Sequence, residues 1–288
     1  MSVLLIFLDG IGIGTRGPQN PLDGVDSDLF ALFEGEEPRL PFGGKIAVTD
    51  ARLGVEGLPQ SATGQTAILT GVNAASLIGR HLNGYPSPRL KQALSEQSIY
   101  KKLMTRGRSV TFANAYTPRY FDQRPRFVSA TTVAAETAGV RLRTLEDLER
   151  GEAVFHDFTH YSLIGMGHLI KSRTPEEAGR RLARLSASHD FTLYEHFITD
   201  RLGHLQNRDW SRAHIALLDR FVKAALEEVD LARQTVMITS DHGNIEDLST
   251  RGHTLNPVAT LAFGRAAEFI TARVAALTDI TPAIIESF

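Results

Sequence analysis

A chain of 288 residues, 42% hydrophobic and 22% charged, has the composition of a folded globular protein and enough length to bury one large core or two smaller ones. Its 31 basic and 33 acidic side chains leave a net charge of -2, and the lysines and arginines are scattered, so no basic stripe points to nucleic acid as the main partner. The absence of cysteine excludes disulfides and thiolate metal sites, so any metal must be held by histidine, aspartate, glutamate or hydroxyl groups.

The first predicted element, VLLIFLDG (3–10), is a continuous apolar run closed by Asp-Gly. It reads as a buried central strand that carries Asp9 at its C-terminal end. The run has no basic leader and is too short for a signal peptide's apolar core or a bilayer span, as is every later run. The expectation is a cytoplasmic protein with no membrane partner.

KIAVTD (45–50) reads as a second short strand. EGLPQSATGQTAILTGV (56–72) follows: hydroxyl-rich, punctuated by glycines and a proline, then apolar. Beyond it come a helix at 94–105, a strand in RSVTFANAY (108–116) and a short helix at 144–150. A further helix opens at TPEEAGRRLARL, where Thr174 caps, Pro175 suits the first turn and Glu176 and Glu177 suit the dipole. FTLYEHFITD (191–200) reads as a strand, 211–229 as an amphipathic helix, and QTVMITSD (234–241) and PVATLAFG (257–264) as two more strands.

Strands alternating with helices predict an α/β fold with a mostly parallel central sheet and helices on both faces. The whole of 1–288 is expected to form a single domain, with the stretch 117–173, which fits the alternation poorly, as a small cap or insertion. Ligands in such folds sit beyond the C-terminal ends of the strands. Four predicted strands end there in aspartate: Asp9, Asp50, Asp200 and Asp241.

Two of these, Asp200 and Asp241, keep company with histidines. TDRLGH places His204 four residues after Asp200, SDHGN places His242 beside Asp241, and RGHTLNP supplies His253 in a loop bounded by glycine and proline. Asp50 has no histidine near it and is the weakest of the four. Carboxylates gathered at one edge repel and raise one another's pKa values, and cations resolve that repulsion. A mixed His/Asp set without thiolates suits Zn²⁺ or Mn²⁺ better than the all-oxygen shells of Mg²⁺ or Ca²⁺. In the 56–72 stretch, Ser61, Thr63, Thr66 and Thr70 all offer hydroxyls near a helix start, where free N–H groups favour an anion. The stretch is not a P-loop, because the lysine after the second glycine is missing, and it is not a G-x-S-x-G elbow.

The ordered set LDGIG, GLPQSATGQTAILTG, TDRLGH, TSDHGN, GHT and LTDITPAIIE resembles the alkaline phosphatase superfamily, most closely its cofactor-independent phosphoglycerate mutase and phosphopentomutase branch. The resemblance covers roughly 1–80 and 190–288. Laying the branch's Gly-x-Pro…Gly-Asn-Ser pattern on Gly57-Leu58-Pro59…Gly64-Gln65-Thr66 puts the nucleophile on Thr66. The resemblance implies two divalent ions, one held by Asp9, Thr66, Asp241 and His242 and the other by Asp200, His204 and His253.

The activity expected from this is hydrolysis of a small-molecule phosphate ester through a covalent phosphothreonine, by two-metal in-line displacement. Phosphodiesterase or phosphomutase chemistry at the same site, or a non-catalytic metal-binding relative, are the alternatives. The span from Thr66 to Asp200 leaves little room for a mutase's full second domain, which favours hydrolysis at an open site. Arg80, His81 and Asn83 in GRHLNGYPSPR, and more remotely Arg119, Arg124 and Arg126, are the candidate substrate contacts.

Overall fold

The computed structural model describes residues 1–288. Six strands form one sheet: β1 (Ser2–Leu8), β2 (Lys45–Thr49), β3 (Val110–Phe112), β4 (Phe191–His196), β5 (Gln234–Thr239) and β6 (Val258–Gly264), in the order β2-β6-β5-β1-β4-β3. β1 pairs in parallel with β4 and β5, and β3 with β4, while β6 runs antiparallel to both β5 and β2. The α/β fold with a mostly parallel sheet is therefore as the sequence predicts.

β1 shows why an unbroken apolar run is needed at the centre. Val3, Leu5 and Phe7 point into one core cluster, and Leu4, Ile6 and Leu8 into another on the opposite face. A strand covered on both faces has no solvent side to be polar. The helix Pro175–Ala187, opened by a capping box between Thr174 and Glu177, packs with the long helix Arg208–Glu228 over one face. The helices Ser61–Thr70, Ile99–Met104, Ala130–Thr137 and Ile280–Glu286 cover the other. No helix is long and apolar enough to cross a membrane.

Several boundaries differ from the sequence reading. The predicted helix 94–105 is two helices, Pro88–Gln97 and Ile99–Met104, because Ser98 interrupts the first and caps the second. The predicted strand 191–200 ends at His196, and its last residues open a new helix, Ile198–Leu205. Asp200 is thus in a helical first turn, which places its carboxylate and His204 one turn apart on the same face. Within 117–173, the helix Ala130–Thr137 is buried and its Ala130, Val133, Ala134 and Ala135 join the main core. The remainder carries three short helices, Pro118–Asp122, Leu145–Arg150 and Tyr161–Gly165.

Register brings the chemistry to one edge. Leu8 pairs with His196 and Phe7 with Thr239, so β1, β4 and β5 end side by side and release Asp9, the Asp200 helix and Asp241 together. Because β6 is antiparallel, the loop before it, with His253, starts from this same edge. β2 is antiparallel to β6 and so delivers the chain towards Ser61 at that edge as well.

Candidate metal centre

Asp9 follows β1 directly, and Gly10 turns the chain at φ +74°, bringing its backbone so near Asp200 that a Cβ would lie 2.9 Å from the Asp200 Cα. Only glycine combines that dihedral with that approach. Gly64 does the equivalent service on the Ser61–Thr70 helix: a Cβ there would lie 2.7 Å from the Asp241 carbonyl oxygen. The helix therefore seats its first turns directly against Asp241.

Six of the sequence-predicted ligands converge. Asp200, His204 and His253 offer ligand atoms that all lie within 4.8 Å of one another, and so do Asp9, Asp200 and His242. Asp200 thus stands between the two groups. Asp241 adjoins the second: its Oδ2 is 3.5 Å from His242 Nε2. His242 and His253 stack with ring centroids 3.6 Å apart. Asp9, Asp241, His242 and His253 are buried, whereas His204 is exposed at the rim. Asp50 lies outside the cluster, where its carboxylate accepts from the backbone N–H of Leu53 and shapes a turn.

Surrounding groups aim these ligands inwards. His253 Nδ1 is 2.8 Å from the Pro59 carbonyl and His204 Nδ1 is 2.8 Å from the Arg251 carbonyl, so each ring donates from Nδ1 and presents Nε2 to the cluster. Asn244 Nδ2 donates to Asp200 Oδ1 at 2.6 Å. Gln65 Nε2 bridges Asp9 Oδ2 at 3.2 Å and Asp241 Oδ2 at 3.3 Å. Glu246 ties three loops together by accepting from the Gly12 and Asn244 backbone N–H groups, the Thr254 hydroxyl and the Asn256 amide.

The electrostatics are those of a cation site. Burial raises the pKa of Asp9, with a further push from Asp200, and burial with the charge of Asp9 raises Asp241 well above the carboxylate range. Burial disfavours a charged His242, but Asp241, Asp9 and Asp200 outweigh it and push the imidazole up to about 10. Burial and the neighbouring His242 push His253 down to about 4, which leaves it neutral and ready to coordinate. Asp9 Oδ1 is buried and makes no well-formed hydrogen bond, its nearest polar neighbour being His242 Nε2 at 3.3 Å. A buried carboxylate oxygen satisfied only by that contact is costly, and a divalent cation is the partner that this donor set fits.

The structure does not bring Thr66 to this cluster. Thr66 is fully buried and its hydroxyl donates to the Ala62 carbonyl within its own helix at 2.6 Å. The reason is helical register: the chain becomes helical at Ser61, five residues earlier than a nucleophile at Thr66 requires. Five residues on, a side chain is rotated by about 140° from the starting face. Ser61 occupies the place instead, with its Oγ 3.0 Å from His242 Nε2, and Gln65, one turn later, lies on the same face. Thr63 is buried and bonded to the Gln60 carbonyl, and Thr70 to the Thr66 carbonyl. The spacing Ser61-x-x-x-Gln65, one helical turn, is the signal in the sequence that puts these two side chains on one face.

Beside the cluster opens a cavity of about 510 Å³ whose floor includes Asp9, Ser61, Gln65 and Asp200. Asn83 lines it, but Arg80, His81, Arg119, Arg124 and Arg126 do not. His81 faces the Val55 carbonyl, and Arg124 is forked on Glu136. The basic residue that does line the cavity is Arg201, beside Asp200 in sequence. Glu195 also lines it, held by burial at a pKa of about 7.

Residues 170–288 match the family model of the Metalloenzyme superfamily. A stretch of 111 residues is 30% identical to the 2,3-bisphosphoglycerate-independent phosphoglycerate mutase of Dinoroseobacter shibae, covering 36% of this chain and 22% of that protein. The fold is similar to that of the PH0037 protein from Pyrococcus horikoshii (TM-score 0.60, 16% identity, 99% of this chain and 96% of that one). It is also similar to the alkaline phosphatase from the Antarctic bacterium TAB5 (TM-score 0.56, 15% identity, 99% and 97%). The cold-active alkaline phosphatase from Shewanella sp. is comparable (TM-score 0.57, 12% identity, 99% and 99%). The resemblance read from the motifs is borne out: the fold is alkaline phosphatase-like and the C-terminal part carries the metalloenzyme pattern.

Proposed function

We propose that this alkaline phosphatase-like metalloenzyme hydrolyses phosphate monoesters at a two-metal centre, with Ser61 as the nucleophile that carries the phosphoryl group. The observation that carries the reading is the meeting of Ser61 with His242 at the floor of an open cavity shared with Asp9 and Asp200. Asp9, Asp241 and His242 would hold one ion and Asp200, His204 and His253 the other, with Zn²⁺ or Mn²⁺ matching the donor set. The bound ions supply charge that lowers the serine pKa and neutralises the phosphoryl and leaving oxygens.

The residues of the chain do the rest. Ser61 Oγ attacks phosphorus, the ester oxygen leaves, and water later cleaves the phosphoserine. Ser61 is the first residue of its helix, whose N-terminal end favours the phosphoryl anion. Gln65 spaces Asp9 and Asp241 through its two hydrogen bonds. We read 1–288 as one domain and much of 117–173 as a wall of the site, because Tyr120, Ser129, Thr132, Phe155, His156 and Met166 all line the cavity.

The test is turnover of p-nitrophenyl phosphate and bis(p-nitrophenyl) phosphate by chelator-stripped protein reloaded with Zn²⁺, Mn²⁺ or Mg²⁺. Metal-dependent cleavage of the monoester in preference to the diester is the expected result. Preference for the diester would replace a phosphatase with a phosphodiesterase, and absence of turnover with fully loaded metal would reject catalysis.

A further inference from the structure

The cavity beside the metal centre is far larger than a phosphoryl group needs. Its volume of about 510 Å³ falls within the roughly 300–1,000 Å³ of pockets that enclose a whole organic ligand. Its walls therefore describe the alcohol half of the ester.

Those walls are aromatic. Tyr85, Tyr116, Tyr120, Phe155 and Phe197 are five of the 20 residues lining it, whereas aromatic residues make up 8% of the chain. That enrichment favours a ligand with π-faces. His156 stacks on Phe197 with centroids 4.3 Å apart, and the Arg201 guanidinium lies 5.1 Å from the Phe197 centroid, so that ring is already partnered. Tyr85 is half-exposed and stacks on Phe127, which is also half-exposed, at 5.6 Å. Exposed, paired rings of this kind leave apolar faces open to a planar partner.

Charge narrows the class further. Apart from the metal cluster, the acidic and basic side chains lining the cavity are Glu195, Arg201 and His156. Glu195 is buried; its Oε2 accepts from the Thr131 hydroxyl, and its backbone is clamped by both side-chain atoms of Asn114. Its other carboxylate oxygen has no partner within the chain and is left to a ligand's hydroxyl or amino group. A buried carboxyl in this position offers no counter-charge to a second anionic group on the substrate. Arg201, the one arginine that lines the cavity, lies over the Phe197 ring at 5.1 Å from its centroid, and Arg119, Arg124 and Arg126 do not line it.

We infer that the cavity binds an uncharged, hydroxyl-bearing alcohol with a planar ring, of the nucleoside class, so that the substrate is a nucleoside monophosphate and not a phosphorylated carboxylic acid. The inference rests on the phosphatase reading for its reaction but not for its binding site. The ring lies against the exposed Tyr85, beside the Phe197 stack, and Glu195 accepts a hydrogen bond from a sugar hydroxyl or exocyclic amine.

Calorimetric titration of the metal-loaded protein with adenosine, ribose and glycerate tests the binding, and hydrolysis of AMP, ribose 5-phosphate and 3-phosphoglycerate tests the substrate class. Adenosine is expected to bind at least tenfold more tightly than ribose, and AMP to be cleaved with a kcat/KM at least tenfold above the other two esters. Tyr85→Ala, a change at a half-exposed side chain, and Phe197→Ala should each weaken adenosine binding on the order of tenfold, the loss expected for one stacked ring. Equal binding of adenosine and ribose, or preference for 3-phosphoglycerate, overturns the inference. If adenosine binds selectively but neither AMP nor p-nitrophenyl phosphate is cleaved, the binding site stands and the hydrolase reading fails.

Discussion

The Ser61 hydroxyl lies 3.0 Å from His242 Nε2, at the first residue of a helix and at the floor of the cavity. Thr66, on the same helix, spends its hydroxyl on the Ala62 carbonyl and is fully buried. Replacing Ser61 with alanine should therefore lower kcat by at least about a thousandfold, the scale of losing a covalent nucleophile. Thr66→Ala should keep kcat within a few-fold, with its effect confined to stability. Steady-state kinetics on an aryl phosphate, with metal content matched between variants, distinguishes the two.

Asp200 is shared by both ligand groups, whereas His204 belongs to one and sits at the exposed rim. Asp200→Ala should lose or weaken both ions, and His204→Ala only one. Metal-to-protein ratios after gel filtration check this; a full complement in Asp200→Ala would refute the ligand assignment.

His242 is pushed up to about 10 in the metal-free protein, so at pH 7 it carries a proton that a metal must displace. The stabilisation from its charged form is complete below its ordinary value near 6.5 and is lost as pH rises through about 10. Metal affinity should accordingly increase with pH across this window. Titrations at pH 7 in buffers of different ionisation enthalpy should show proton release on loading; an enthalpy independent of buffer would contradict it.

Glu195 offers a pH test that does not involve loaded enzyme. Burial raises its carboxyl from 4.5 to about 7, with the Asp9 charge adding and the Thr131 hydrogen bond opposing. The folded state then holds a proton that the unfolded chain releases, so stability is full below pH 4.5 and lost as pH rises through 7. The difference is about 3 kcal/mol for a shift of this size. In chelator, the stability of the wild type relative to Glu195→Gln should fall by an amount of this order between pH 4.5 and 8 in urea denaturation.

Glu246 accepts four hydrogen bonds from three loops, those that carry Asp9, Asp241 and His253. Truncation to alanine strands buried donors, each at a cost of about 1–3 kcal/mol. Glu246→Ala should destabilise the fold by roughly 3 kcal/mol or more and weaken metal binding, with Glu246→Gln recovering part of both. Thermal unfolding with and without metal measures the two effects.

The sheet was legible because β1 is apolar from Val3 to Leu8, as burial on both faces demands, and because aspartates lie at or just beyond the strand ends. The ligands His204 and His242 were legible because they accompany two of those aspartates in short runs, and His253 because it sits in a short Gly- and Pro-bounded loop. The helix start at Ser61 was not legible: Gln60 provides no side-chain cap, so no residue type marked the boundary, and a glycine inside the helix looked like a turn. Gly64 is there to admit the Asp241 backbone, a long-range contact that no local pattern records. The same holds for Glu195 and Arg201, whose roles depend on which elements face the cavity. In 117–173, Ala130–Thr137 escaped because its alanines and threonines are small residues that pack a core without a strong apolar stripe.

The most direct test of the account is the identity of the phosphorylated residue. Metal-loaded protein should be mixed with substrate, quenched in acid, digested and sequenced by tandem mass spectrometry. The account predicts a phosphoryl group on Ser61, absent in Ser61→Ala and retained in Thr66→Ala. A phosphoryl group on Thr66, or undiminished turnover by Ser61→Ala, would contradict it.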